Sequence, residues 1–174
     1  MKNYNIQYYV EGEDEKKLLN VLKTQLKLIR SGKIQRLNVI NEYITDVMLR
    51  TLKKDTWVVL VFDTDTNQID ILQKNIKKLN ECPYVSKVIT IPQVRNLEDE
   101  LLRSCKIRKI TELLNSRSVS KFKSDLIHIS NLDAKLLEHQ FNINNFWSQT
   151  PPSPYQTISN ESRAIKLLKD ELNS

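Results

Sequence analysis

Glycine occurs only twice in the 174 residues, at positions 12 and 32, and no Walker A motif occurs, so no nucleotide-binding phosphate loop of that kind is encoded. Cysteine is also scarce. Cys82 and Cys105 have neither a CxxC partner nor the spacing of a metal ribbon, which leaves two ordinary thiols in a reduced compartment. His128 and His139 are the only histidines, too few for a His-rich zinc site. Any metal bound here must therefore be held by carboxylates. No apolar run approaches the roughly 20 residues of a membrane-spanning helix. The opening MKNYNIQYYVEGEDE lacks the apolar core of a signal peptide, so a cytoplasmic protein without membrane attachment is expected.

What is present is a globular composition, 40% hydrophobic and 28% charged, in a length that suits one domain. The net charge of +6 is unevenly placed. Between Arg103 and Lys123 the chain carries Arg103, Lys106, Arg108, Lys109, Arg117, Lys121 and Lys123 against Glu112, which equals the whole excess. Such clustering is the footprint of a surface that binds a phosphate backbone, and it is equally the pattern of a solvated helix face.

Along the chain, IQYYV (6–10) is rich in strand formers, and EDEKKLLNVLKTQLKLI (13–29) then places Leu18, Leu19, Leu22, Leu26 and Ile29 at helical spacing. IQRLNVI (34–40) alternates like a strand, and 42–52 returns to helical spacing. WVVLVF (57–62) is the continuous apolar run of a strand buried on both faces. Residues 68–80 form an amphipathic helix pattern, and YVSKVITI (84–91) reads as a fourth strand. Strands alternating with helices predict crossover units and a mainly parallel four-stranded sheet flanked by helices, an α/β Rossmannoid core over 1–105. After Pro92 the character changes. Short helical patterns and the basic segment predict a helical extension over 106–174 packed on that core, with 120–130 ambiguous, 150–157 a proline-rich connector, and a last helix over 162–173.

In open parallel sheets functional groups collect at the carboxyl ends of strands. Two strands here end in acid: Val10-Glu11-Gly12 and Phe62-Asp63-Thr64-Asp65. Helical side chains lean toward the N-terminus, so Glu15 in the first helical turn can point back toward Glu11. Asp63 and Asp65, two apart in extended chain, share a side. If the two strands are neighbours, four carboxylates converge, and the usual remedies for their repulsion are a raised pKa or a bound cation. Oxygen-only ligation suits Mg²⁺ or Mn²⁺. Acids in a first helical turn are also favoured by the helix dipole, which accounts for Glu13 and Asp14 and is an alternative for Glu15. Asp63 could equally cap the following helix.

Taken together, VEGEDEKKLL after a first strand and VVLVFDTDTN some fifty residues later resemble the Toprim domain, and VEG-x-x-E resembles the version in OLD-type nucleases and small Toprim proteins of bacterial phage defence. The resemblance covers about residues 5–101. It implies that Glu11, Glu15, Asp63 and Asp65 are catalytic metal ligands for one or two Mg²⁺ or Mn²⁺. It extends that role to Glu98 through Arg95, Leu97, Glu98 and Leu101 in PQVRNLEDELL, with Asp99 and Glu100 read as surface residues. It also implies a charge-stabilising lysine, for which Lys121 and Lys123 in SKFKSD are the candidates. The implied activity is metal-dependent hydrolysis of DNA or RNA, in phage defence or abortive infection, with the basic residues of 103–123 holding the backbone. A separately encoded ATPase or another controlling partner is implied; the sequence does not fix the oligomeric state, and a homo-oligomer stays open. The chain departs from Toprim primases and topoisomerases, which have Gly or Pro close after the Asp pair where this sequence has Thr-Asn-Gln.

Two other functions stay open. FDTDT resembles the Asp-x-Asp-x-Thr motif of haloacid dehalogenase-type phosphatases, although here a full crossover unit precedes it. A nucleic-acid-binding or partner-docking module without its own activity is the non-enzymatic reading. Phe122, Phe141, Phe146 and Trp147 are expected to form a small secondary core, and His128 and His139 to be structural.

Overall fold

The computed structural model describes residues 4–168. Four strands form one sheet: β1 (Asn5–Val10), β2 (Lys33–Arg36), β3 (Thr56–Asp63) and β4 (Val85–Gln93). They lie in the order β2-β1-β3-β4, and every pairing is parallel. The helices are α1 (Glu13–Thr24), α2 (Asp46–Arg50), α3 (Asp70–Asn80), α4 (Leu97–Ser104), α5 (Thr111–Leu114), α6 (Val119–His128) and α7 (Leu132–Glu138). The chain is thus α/β with a four-stranded all-parallel sheet flanked by helices.

Alternation along the strands sorts the core into two layers. Ile6, Tyr8 and Val10 of β1, Val59 and Val61 of β3, and Ile89 and Ile91 of β4 face α1 and the later helices α4–α7. Tyr9, Val58, Leu60 and Phe62 face the other way, onto Leu72 and Leu79 of α3. Phe122, Phe146 and Trp147 belong to the first of these layers rather than to a separate small core.

The strand order dictates where a site can form. From β1 the chain steps outward to β2, then returns across β1 to β3 and continues outward to β4. The direction of winding reverses between β1 and β3, and the crevice beyond the carboxyl ends of two such strands is where this kind of sheet binds ligands.

Several elements differ from their sequence patterns for local reasons. The helical pattern of 13–29 ends at Thr24, because the chain turns extended through Lys27 (φ 53°) and Ile29 makes a bridge to Lys166. Strand β2 stops at Arg36, and Leu37, Val39 and Ile40 of the expected strand are buried as a loop against α3's layer. Of the expected helix over 42–52 only Asp46–Arg50 is helical. Strand β4 runs through Pro92 to Gln93, which an edge strand permits because proline's missing N–H can face outward. The ambiguous 120–130 segment is helical, as α6. The helix expected over 162–173 is a single 3₁₀ turn at Ser162–Ala164, since 165–167 pair with the chain near Ile29: Arg30 donates to the Ile165 carbonyl (2.9 Å) and Leu167 to that of Leu28 (2.9 Å). Residues 169–173 of that expected helix lie outside the described residues.

Candidate functional site

Strands β1 and β3 are neighbours, so their acidic ends lie side by side. Glu11 leaves β1 half-buried, and Gly12 caps α1 in extended backbone (φ −137°). Any residue can adopt that conformation, so space explains the glycine. A Cβ there would stand 2.5 Å from Asp14 Oδ1 and 3.0 Å from Glu15 Oε2, because both carboxylates fold back over this Cα. Glu15 turns toward the strand end, as its place in the first turn predicts, and its Oε2 accepts from the Gly12 N–H (2.9 Å).

Asp63 ends β3 opposite Gln93 in β4, and the Gln93 side-chain amide donates to Asp63 Oδ1 (2.7 Å). Thr64 laces the two strand ends together: its hydroxyl donates to the Gln93 carbonyl (2.9 Å) and accepts from the Arg95 N–H (3.0 Å). Asp65 is exposed on the following loop. That loop is pinned from beneath by the buried Tyr155, whose hydroxyl donates to the Gln68 carbonyl (2.8 Å) and accepts from Thr66 Oγ1 (2.9 Å).

Asp14 is only 2% exposed and forms an ion pair with Lys123 Nζ (3.3 Å), carried in by α6 where it packs on α1. The helix dipole alone does not account for an acid held in that way. Lys121, two residues away on α6, is exposed and lies off the face that carries Lys123, since i and i+2 do not share a helix side. Glu98, half-buried in the first turn of α4, stands near enough to favour the Lys123 charge. Burial alone would lower the Lys123 pKa, but Asp14, Glu15 and Glu98 outweigh it and the net shift is upward.

The acids perturb one another strongly. Burial, then the charges of Glu11 and Glu15, push Asp63 from 3.8 up to about 9, against the Gln93 hydrogen bond. Burial and the shared hydrogen bond and charge of Asp14 push Glu15 up to about 8. Glu11 is raised by burial and by Asp65, with Lys123 opposing. Negative charge is thus concentrated beyond what Lys123 offsets, which is the condition a cation relieves.

The chemistry of the donor set fits Mg²⁺ or Mn²⁺: hard oxygens, no sulfur, no imidazole. The arrangement is not a finished cage. Among the described residues no group of three or more Asp, Glu, His or Cys side chains is placed to hold an ion. The hydrogen bonds explain why. Glu15 is turned to the Gly12 amide and Asp14 to Lys123, while Asp63 gives Oδ1 to Gln93 and keeps its second oxygen for a ligand. Ligation by Glu15 would require its side chain to leave the Gly12 amide.

Around the site, two readings of the sequence are corrected. Glu100, read as a surface residue, is fully buried. It accepts from the N–H groups of Val94 and Trp147 (2.9 Å each) and from Arg103 Nη2 (2.9 Å). Arg103 is consequently turned inward, donating also to the Val94 carbonyl (2.7 Å), and is not part of a free basic surface. Lys106, Arg108, Lys109, Arg117, Lys121 and Lys123 are exposed. His128 is exposed, and its ring bonds its own helix at the Ser124 carbonyl (2.7 Å). Gln93 and Asp14 are the site residues that sequence reasoning missed. Gln93 was missed because the expected fourth strand ended at Ile91, before Pro92, whereas β4 runs on to Gln93.

A crevice of about 790 Å³ lies elsewhere, between residues 144–151 and 156–168, and none of the clustered acids lines it. The acid cluster itself opens to solvent at Asp65 and Lys123. No family model, no curated protein and no solved structure matches this chain.

Proposed function

We propose that this chain is a Toprim-like, metal-dependent nuclease that hydrolyses phosphodiester bonds of DNA or RNA. The observation that carries the reading is the meeting of two acidic strand ends, Glu11 just after β1 and Asp63 at the end of β3, at the point where the sheet reverses its winding. Glu11, Asp63 and Asp65, with Glu15 and Glu98, would hold one or two Mg²⁺ or Mn²⁺. When bound, such an ion supplies Lewis-acid chemistry and a nucleophilic water at neutral pH.

The protein's own residues do the rest. Lys123 keeps a positive charge beside the acids and is exposed enough to meet a substrate phosphate. Asp63 and Glu15, with their raised pKa values, retain protons near neutral pH and give them up when a cation takes their place. The exposed Lys106, Arg108, Lys109, Arg117 and Lys121 offer contacts to a phosphate backbone that position the polymer without reading its sequence. An acid cluster open to solvent suits a long polymer better than an enclosed small molecule.

The test is incubation of the protein with plasmid DNA, single-stranded DNA and total tRNA in Mg²⁺ or Mn²⁺, beside a Glu11→Gln/Asp63→Asn double variant. Cleavage that vanishes in the double variant supports the proposal and identifies the polymer. Binding of all three substrates without cleavage would favour a docking module. Hydrolysis of small phosphate esters that is lost with Asp63→Asn but indifferent to Glu11→Gln would replace the nuclease with a phosphatase.

A further inference from the structure

Gln93 and Trp147 are both fully buried, and their side chains bond to each other. The indole Nε1–H of Trp147 reaches Gln93 Oε1 (3.1 Å). An indole nitrogen only donates, so the oxygen of the Gln93 amide must face it and the NH₂ must face the other way. The other way is Asp63, whose Oδ1 accepts at 2.7 Å. Trp147 therefore decides which end of Gln93 the Asp63 carboxylate meets.

Trp147 is itself held on both sides of its backbone. Its N–H donates to Glu100 Oε2 (2.9 Å), and its carbonyl accepts from Ser162 Oγ (2.8 Å) and Asn160 Nδ2 (2.9 Å). The residue sits at φ 55°, a left-handed conformation that an aromatic residue keeps only when its surroundings fix it. Glu100 Oε1 meanwhile accepts from the N–H of Val94, the residue next to Gln93. One buried carboxylate thus clamps both ends of the relay. Gln93, Trp147 and Glu100 are fully buried, where an unmade bond is costly, so the relay is stiff.

We propose that Gln93 is a positioning residue for Asp63, oriented in turn by the Trp147 indole, so that the segment after α7 is part of the site. The proposal rests on the cation-site reading above. Partners that orient a ligating side chain typically matter about 10–100-fold in metal affinity.

The experiment titrates Mn²⁺ into wild type, Gln93→Met, Trp147→Phe and the packing control Phe146→Leu, with thermal stability measured on each. The expected result is a loss of about tenfold or more in Mn²⁺ affinity for the first two variants and little change for the third. An equal loss in all three, tracking stability, would overturn the proposal. A second readout does not depend on metal. The chain has two tryptophans, so two indole N–H resonances are expected. Asp63→Ala should shift the Trp147 indole signal through Gln93 and leave that of Trp57, at the opposite end of β3, in place. An unmoved Trp147 signal overturns the relay. A wild type that binds no Mn²⁺ while the Trp147 signal still moves refutes the cation reading and keeps the relay.

Discussion

Asp63→Asn should make the metal-free protein more stable, by a gain that is absent near pH 4 and grows as pH rises. In the folded chain the Asp63 carboxyl is held at about 9, whereas an exposed aspartate titrates at 3.8. Its folded pKa is therefore the higher one. Between those values the folded state binds a proton that the unfolded state does not, so stability falls as pH rises and is fullest below about pH 4. Each pH unit separating the folded and unfolded pKa values is worth about 1.4 kcal/mol. Solvent reaches the carboxyl edge and Glu11 and Glu15 share the cost, so the substitution should recover on the order of 2 kcal/mol at pH 8 rather than the full sum. For a chain of this length that is about 4–8 °C in melting temperature. The asparagine oxygen can still accept from Gln93, so the bond is not lost with the charge. Thermal unfolding in a chelator, at pH 4 and pH 8, reads the difference. A gain near zero at pH 4 that grows toward pH 8 is expected. A variant no more stable than wild type at pH 8, or one with the same gain at both values, would refute the electrostatic reasoning.

Glu100→Ala should cost about 3–5 kcal/mol, because it strands the Arg103 charge, the buried Trp147 N–H and the half-buried Val94 N–H, and chemical denaturation would measure it; a loss under about 1 kcal/mol would contradict the geometry. Gly32→Ala should destabilise by about 1–3 kcal/mol or more, since its Cβ would meet the Ile6 carbonyl at 2.6 Å, a backbone atom that cannot yield. Gly12→Ala meets only movable carboxylates, so it should leave the melting temperature within a few degrees of wild type and weaken Mn²⁺ binding measured by titration. Lys123→Met removes the partner of a buried acid and should cost about 1–2 kcal/mol after allowance for the exposed lysine, whereas Lys121→Met should stay within about 0.5 kcal/mol in the same unfolding assay.

The acids that mark the site were legible because two strand ends are one-dimensional features. Glu11 follows IQYYV, Asp63 and Asp65 follow WVVLVF, and parallel pairing brings such ends to one edge without further information. Asp14 was not legible. Its burial depends on α6, more than a hundred residues later, arriving with Lys123 rather than Lys121 on the near face, and periodicity left the 120–130 segment undecided. Glu100 was missed because an acid in a helical first turn is ordinarily solvated, and only the return of Trp147 encloses it. The over-long reading of α1 has the same origin. Leu26 and Ile29 continue the helical spacing, but they reach the core from an extended segment that pairs with Lys166. Hydrophobic spacing reports which residues are buried, and tertiary pairing decides in what backbone they arrive.

The most direct test of the carboxylate centre is calorimetric titration of Mn²⁺ into the protein at pH 7 in two buffers of different ionisation enthalpy. If Asp63 and Glu15 hold protons that a cation displaces, binding should release protons, and the observed heat should depend on the buffer. The Glu11→Gln/Asp63→Asn variant should show neither binding nor release. Saturable binding with proton release confined to the wild type is the predicted result. The absence of Mn²⁺ binding, or binding untouched by the double substitution, would contradict it.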